Sequence, residues 1–265
     1  MSVTNWHAVV LAADRERDNP VAAAAGVPCK SLVPLAGKPL LARVLAALEG
    51  CPLIEAIVLV GPTEAIWRRH PLNSVKPLHW LPPAASPSLS AWRGMETVPP
   101  QRPVLLTTSD LAFPDSAVFT EFCRRAQDSG VDLAVGLVPH RLVVRRFPGV
   151  RRTALRFADG PFCTCNLFAF LTPKGREFVH FWRRLERQRK RPWRLIRELG
   201  AVTLGRYLLG RLTTAEVARQ VERKLGIRVR FVILEHPEAA VDIDTPEDLA
   251  LARSWLEAGS VPGAR

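Results

Sequence analysis

The stretch that most constrains this chain runs from Trp6 to Gly50. Residues 8–12 form a short apolar run, long enough for a buried strand and too short for a helix. A charged turn follows, with Asp14, Arg15, Glu16, Arg17, Asp18 and Asn19, and then Val27-Pro28-Cys29-Lys30-Ser31-Leu32. Gly37-Lys38-Pro39 is expected to open a helix, because Leu40, Leu41, Val44, Leu45 and Leu48 recur at helical spacing and Pro39 suits a first helical turn. A buried strand, a polar loop carrying a lysine and then a helix is how α/β proteins build a phosphate site at a strand's carboxyl end. Two common phosphate motifs are excluded. A P-loop needs a glycine directly before its Lys-Ser pair, where Cys29 stands, and residues 12–25 contain no glycine for a dinucleotide fingerprint.

Further along, residues 54–61 read as a second buried strand, joined to the first by the helix in a βαβ unit. Residues 78–81 are a short strand candidate, and Ser86-Pro87-Ser88-Leu89-Ser90 leads into a helix. Residues 103–108 read as a strand that runs into Asp110. An aspartate just past a buried strand suits a hard cation, which wants carboxylate oxygens. A helix over 116–129 and a strand over 131–139 follow, then a basic stretch over 141–156 expected as a loop or hairpin, and an apolar strand carrying Asn166. Residues 174–225 are a helical block, beginning with one helix over 175–191 and ending in a capping-box helix that starts at Thr213. Residues 227–234 alternate as a half-buried strand would. The chain then reads Val241-Asp242-Ile243-Asp244-Thr245-Pro246-Glu247-Asp248-Leu249, where extended backbone puts Asp242 and Asp244 on one side and Thr245-Pro246 makes a helix entry.

Leu11-Ala12-Ala13, Lys30, Leu32, Gly37-Lys38-Pro39-Leu40, Asp110 after its strand and the Asp-Thr-Pro-Glu-Asp-Leu close occur in an order that resembles the nucleotidyltransferases with a GT-A-like fold. The nearest likeness is to the molybdenum cofactor guanylyltransferase-like, or MobA-like NTP transferase, group. Asp14 and Glu16 stand where that group has glycines, and Arg17 lies one place before its arginine. The resemblance implies an α/β, Rossmann-like GT-A nucleotidyltransferase fold, with a mixed central sheet flanked by helices. It implies transfer of a nucleoside monophosphate from a nucleoside triphosphate to a phosphorylated acceptor. Lys30 and Asp110 would be catalytic, and Asp110, Asp244 and Asp242 would hold Mg²⁺. Leu11, Ala12, Ala13, Arg15, Arg17, Lys30 and Ser88 would meet the nucleotide. Asn166 and Arg145 would meet the acceptor, and Lys190, in an Arg-Lys-Arg run, could reach it too. Asp14 and Glu16 would repel a triphosphate unless Arg15 and Arg17 offset them, which leaves a catalytically impaired nucleotide-binding relative as one alternative. A GT-A glycosyltransferase would carry Asp-x-Asp after a central strand, and here the motif falls near the carboxyl end.

Composition sets the remaining bounds. With 265 residues and 48% hydrophobic content the chain can bury a large core, and disorder is excluded. One domain over 1–258 is expected, with 174–225 as a basic helical insertion and 259–265 as a mobile tail. No apolar run approaches the roughly 20 residues a membrane-spanning helix needs. No signal-peptide pattern opens the chain, and five cysteines show no paired spacing, so a cytoplasmic protein with reduced thiols is expected. Residues 174–230 hold 17 basic and 5 acidic residues, which accounts for the whole net charge of +12. That segment attracts polyanions, so a second alternative is a protein that binds nucleic acid or an anionic membrane through it.

Overall fold

The computed structural model describes residues 5–14, 18–186 and 196–259. Among them, eight strands form one mixed sheet: β1 (Trp6–Leu11), β2 (Ile54–Val60), β3 (Leu78–Leu81), β4 (Val104–Thr108), β5 (Leu133–Pro139), β6 (Leu155–Phe157), β7 (Gly160–Phe170) and β8 (Val229–Ile233). Their order is β8-β5-β7-β4-β1-β2-β3, with β6 paired to β7. β1 is parallel to both β2 and β4, and β7 runs antiparallel to β4, β5 and β6.

Side-chain alternation along β1 explains why helices cover both faces. Ala8 and Val10 point to one face, where Leu41, Val44, Leu45 and Leu48 of the helix Leu40–Glu49 pack with Phe119 and Phe122 of the helix Ser116–Gln127. Val9 points to the other, against Ala91 and Met95 of the helix Pro87–Glu96 and Val179 of the helix Phe178–Leu185. β8 lies at the sheet edge and is half-buried as its alternation suggests, with Arg230 exposed between Val229 and Phe231, except at Val232. Val232 joins the first core, and Phe231 and Ile233 pack under the helical block with Val217 and Val221 of the helix Thr214–Leu225.

Several local expectations are corrected. Pro39 is not in the first helical turn. It precedes the helix, and Lys38–Pro39 pairs with Pro34–Leu35 in a small antiparallel ribbon. The turn between them needs Ala36 at φ 50° and Gly37 at φ 75°, a left-handed pair that explains the glycine. Residues 141–156 are only partly the expected loop or hairpin: His140–Arg146 is a helix, whose apolar Val143 is buried, while residues 147–154 are loop and β6, which pairs with β7, begins at Leu155. The helix expected over 175–191 is broken at Glu177, giving Pro173–Arg176 and Phe178–Leu185. The first of these is pinned to the strand end, since a Cβ on Gly175 would sit 2.0 Å from the Asp132 carbonyl oxygen.

The topology leaves one opening. From β1 the chain moves outward through β2 and β3, then returns to place β4 on the other side of β1. Leu11 pairs with Val60 on one side and Thr108 on the other, so three carboxyl ends finish level. Such a reversal of strand order is where open α/β sheets hold ligands. No helix among the described residues is long and apolar enough to cross a membrane.

Candidate functional site

Four chain segments meet above the carboxyl ends of β1 and β4. The Ser109 N–H donates to the Leu11 carbonyl at 3.0 Å and carries the backbone on to Asp110. Residues 241–243 lie along residues 110–112: the Ala112 N–H donates to the Val241 carbonyl and the Ile243 N–H to the Asp110 carbonyl, both at 2.9 Å. A separate apolar cluster of Val33, Leu35, Phe113, Phe147, Val241 and Ile243 fixes this junction, with Phe113 and Phe147 stacked at 5.5 Å. The closing helix Pro246–Glu257 packs on it through Leu249 and Trp255, entered by a capping box between Thr245 and Asp248.

The result is a cluster of three carboxylates. One oxygen from each of Asp110, Asp242 and Asp244 lies within 4.8 Å of the others. The Lys30 ammonium donates to Asp110 Oδ2 at 2.6 Å and to Asp244 Oδ1 at 3.2 Å. Thr108 Oγ1 donates to the other Asp110 oxygen at 2.5 Å. Asp242 is held from two sides. Arg152 forms an ion pair with its Oδ1 and donates to its backbone carbonyl, and Asn166 Nδ2 donates to its Oδ2 at 3.1 Å. Asn166 sits at φ 52° where β5 and β7 slip in register, a left-handed conformation that asparagine tolerates.

Charge decides the protonation of this group. Burial works against the Lys30 ammonium, yet Asp110 and Asp244 outweigh it and hold its pKa above the ordinary lysine value. Burial likewise opposes the Asp110 carboxylate, but Lys30 and the Thr108 hydroxyl keep it below the usual carboxylate range. Asp244 is 58% exposed and faces the opening. Asp14 takes a role the sequence did not indicate. Its two oxygens accept the Lys30 N–H at 3.0 and 3.2 Å, and burial raises its pKa. It thereby anchors the turn Lys30–Leu32.

Of the residues named from sequence, Lys30, Asp110, Asp242, Asp244 and Asn166 come together, and Leu11, Ala12 and Ala13 line the end of β1 beside them. Ser88 is fully buried. Its N–H donates to the Glu186 carboxylate, its hydroxyl contacts Ser86 Oγ at 3.1 Å, and Ser86 is the residue that caps the helix. Arg145 is exposed on the helix His140–Arg146. Arg15, Arg17, Glu16 and Lys190 lie outside the described residues. Sequence reasoning missed Thr108 and did not separate Arg152 from its arginine neighbours. Thr108 carried a signal, a hydroxyl two residues before the aspartate at a strand end. The five cysteines are buried free thiols, and burial pushes Cys163 up to about 11 and Cys165 to about 12.

The family model described as a MobA-like NTP transferase domain matches residues 8–202, most of the chain. The chain belongs to this family. It is a nucleotidyltransferase by that membership, and its mixed sheet is the nucleotidyltransferase fold. The matched span contains Lys30 and Asp110, while Asp242 and Asp244 lie beyond it. A solved structure described as a hypothetical transferase from Thermus thermophilus is similar over 92% of this chain and 99% of its own, at 31% identity and a TM-score of 0.75. Two more distant structures share the fold. The 4-diphosphocytidyl-2C-methyl-D-erythritol synthase of Anaerococcus prevotii is 14% identical, with a TM-score of 0.56, over 97% of this chain and all of its own. A CMP:2-keto-3-deoxy-manno-octonic acid synthetase solved with CTP is 11% identical, with a TM-score of 0.58, over 96% of this chain and all of its own. Comparison with curated proteins gives no match.

Proposed function

We propose that this nucleotidyltransferase is Mg²⁺-dependent and moves a nucleoside monophosphate from a nucleoside triphosphate to a phosphorylated small molecule. The observation that carries this reading is the set of three carboxylates within 4.8 Å, two of them bonded to Lys30, at the reversal point of the sheet. The donor set fits a hard divalent ion, because it consists of carboxylate oxygens converging on one space. Asp110, Asp242 and Asp244 would hold the ion, which when bound supplies charge neutralisation at phosphate oxygens. An oxygen of the acceptor's phosphate attacks the α-phosphorus, the bond from that phosphorus to the bridging oxygen breaks, and pyrophosphate leaves with it. Lys30 stabilises the negative charge that grows on the α-phosphate during this exchange. Thr108 keeps Asp110 oriented, and Asn166 acts through Asp242. A phosphorylated acceptor is supported by the basic stretch 141–156, whose Arg152 already reaches the carboxylates.

Thermal melting with each of ATP, GTP, CTP and UTP, with and without Mg²⁺, tests the donor site. At least one nucleotide should raise the melting temperature, and more so with the metal, since a ligand of the native state stabilises it. No shift with any of the four would overturn the reading and favour a site closed by Asp14.

The protein also docks on anionic membrane surfaces in this reading. Support comes from Val202, Leu208 and Leu209, which are 78%, 69% and 70% exposed in and just after the helix Ala201–Leu208. Val202 shares a cavity of about 220 Å³ with Arg206, Arg219, Arg223 and Glu216, which pairs with Arg206. Exposed aliphatic side chains among arginines suit an acidic lipid interface. The protein should cosediment with phosphatidylglycerol vesicles and not with phosphatidylcholine. Changing Val202, Leu208 and Leu209 to Asp should abolish this. Equal binding by the triple variant would mean a polyanion contact without apolar insertion, and the membrane reading would fall.

A further inference from the structure

We propose that Arg152 is a built-in counter-cation that competes with the divalent metal for Asp242 and thereby sets the metal affinity of the site. This rests on the metal reading given above. Arg152 is only 12% exposed, and its guanidinium holds both the carboxylate and the backbone carbonyl of Asp242. The remaining Asp242 oxygen accepts from Asn166, so both oxygens are engaged by side chains. Asp244 differs: one oxygen meets Lys30, and the side chain is more than half exposed. Metal entry therefore disturbs Asp242 more than Asp244.

Charge gives the competition its sign. Lys30 and Arg152 are the cations of the chain itself that face these three carboxylates, with Asp248 also acting on Arg152. A divalent ion at Asp242 takes the place the Arg152 guanidinium holds, and repulsion between like charges at such separations is large where water is scarce. Lys30 gains a new partner in the nucleotide's phosphate under the proposed mechanism. Arg152 is the cation bonded to Asp242 itself, whose other oxygen Asn166 engages, so it is the one that metal entry drives off Asp242. The guanidinium is also incompletely satisfied, because its Nε is buried and has no hydrogen-bond partner among the described residues. A well-fitted structural strut would use that donor. Burial opposes the Arg152 charge as well, although a guanidinium stays protonated. The binding cost of expelling Arg152 is then part of the apparent metal affinity.

The experiment is Mn²⁺ binding to the nucleotide-free protein, followed by calorimetry and by the loss of the free-ion electron paramagnetic resonance signal. Arg152→Gln should bind Mn²⁺ more tightly than wild type, by about tenfold, the size of a coupling between neighbouring groups. Arg152→Lys, which keeps the charge, should stay near wild type. Equal or weaker binding by Arg152→Gln, with wild type binding normally, would make Arg152 a strut for Asp242 and overturn the proposal alone. Absence of Mn²⁺ binding in every form would overturn the metal reading too. A measurement on wild type covers a variant that fails to fold. Phenylglyoxal labelling of Arg152, read by mass spectrometry, should be faster with Mn²⁺ than without, and an unchanged rate would also overturn the competition.

Discussion

Replacing Asp110 with asparagine is expected to lower kcat/KM for nucleotidyl transfer by about a thousandfold, the upper range for loss of one group that stabilises transition-state charge. The size follows from what Asp110 joins. It follows the central strand β4 directly, accepts from Thr108 and Lys30, and contributes an oxygen to the three-carboxylate cluster. Asparagine keeps the shape and can still accept from Thr108. It cannot carry the charge that the Lys30 ammonium, and the metal proposed above, require, and its amide group would face Lys30 donor to donor. Breaking a buried pair can cost about 3–5 kcal/mol. The loss here should be smaller, because Lys30 keeps Asp244 at 3.2 Å and Asp244 is largely exposed. The variant should thus fold, with a modestly lower melting temperature, and lose turnover. Pyrophosphate release and a thermal melt on the same preparation check both parts. Turnover near the wild-type rate would remove Asp110 from the mechanism.

The carboxylate cluster was legible in the sequence because its parts lie where local pattern is strong. β1 and β4 each carry a short apolar run, Ala8 to Leu11 and Val104 to Leu106, so the aspartate past β4 falls at a strand end, and Asp242 and Asp244 precede a clear helix entry. That the two segments touch is a tertiary fact, set by the cluster of Phe113, Phe147, Val241 and Trp255, and no spacing reveals it. The role of Asp14 was hidden for a similar reason. As a residue in a loop it reads as a charge that repels phosphate, whereas in the fold it binds the backbone of Lys30, sixteen positions on. Ser88 shows the opposite failure. The serine cluster announced a helix start correctly, but which serine caps and which is buried depends on side-chain direction, and Ser86 takes the cap. The helix His140–Arg146 was missed because its four basic or polar residues and Pro139 look like loop composition, and only Val143 is buried.

Arg176 was likewise indistinguishable from the other arginines of its segment, yet Arg176→Met should be among the most destabilising single changes in the chain. The side chain is buried without an acidic partner among the described residues. Nη1 donates to the carbonyls of Met95 and Val98, both at 2.9 Å, and Nη2 to those of Pro99 at 2.9 Å and Arg102 at 2.8 Å. These carbonyls lie at the end of the helix Pro87–Glu96 and along the turn that leads into β4, where those of Met95 and Pro99 also accept the N–H groups of Val98 and Arg102. A cation there answers both the unpaired acceptors and the negative end of the helix. Methionine fills a similar volume but takes the Arg176 donor from all four carbonyls. Met95 and Pro99 keep the N–H groups of Val98 and Arg102, whereas the carbonyls of Val98 and Arg102 lose their partner, and each such group costs about 1–3 kcal/mol where water does not reach it. Part of the loss is recovered by water at the more exposed carbonyls, which leaves about 3–5 kcal/mol. For a chain of this size that is a fall in melting temperature of about 10 °C. The network lies at the amino end of β4, opposite the carboxylates, so turnover per folded molecule should be unchanged at low temperature. Arg176→Lys should recover only part of the stability, since one ammonium cannot reach all four acceptors as a planar guanidinium does. A thermal melt paired with an activity assay separates this change from Asp110→Asn. Here stability falls and turnover holds, whereas at Asp110 turnover falls and the fold holds. A drop in turnover for folded Arg176→Met would mean that the turn before β4 is coupled to the site at its other end.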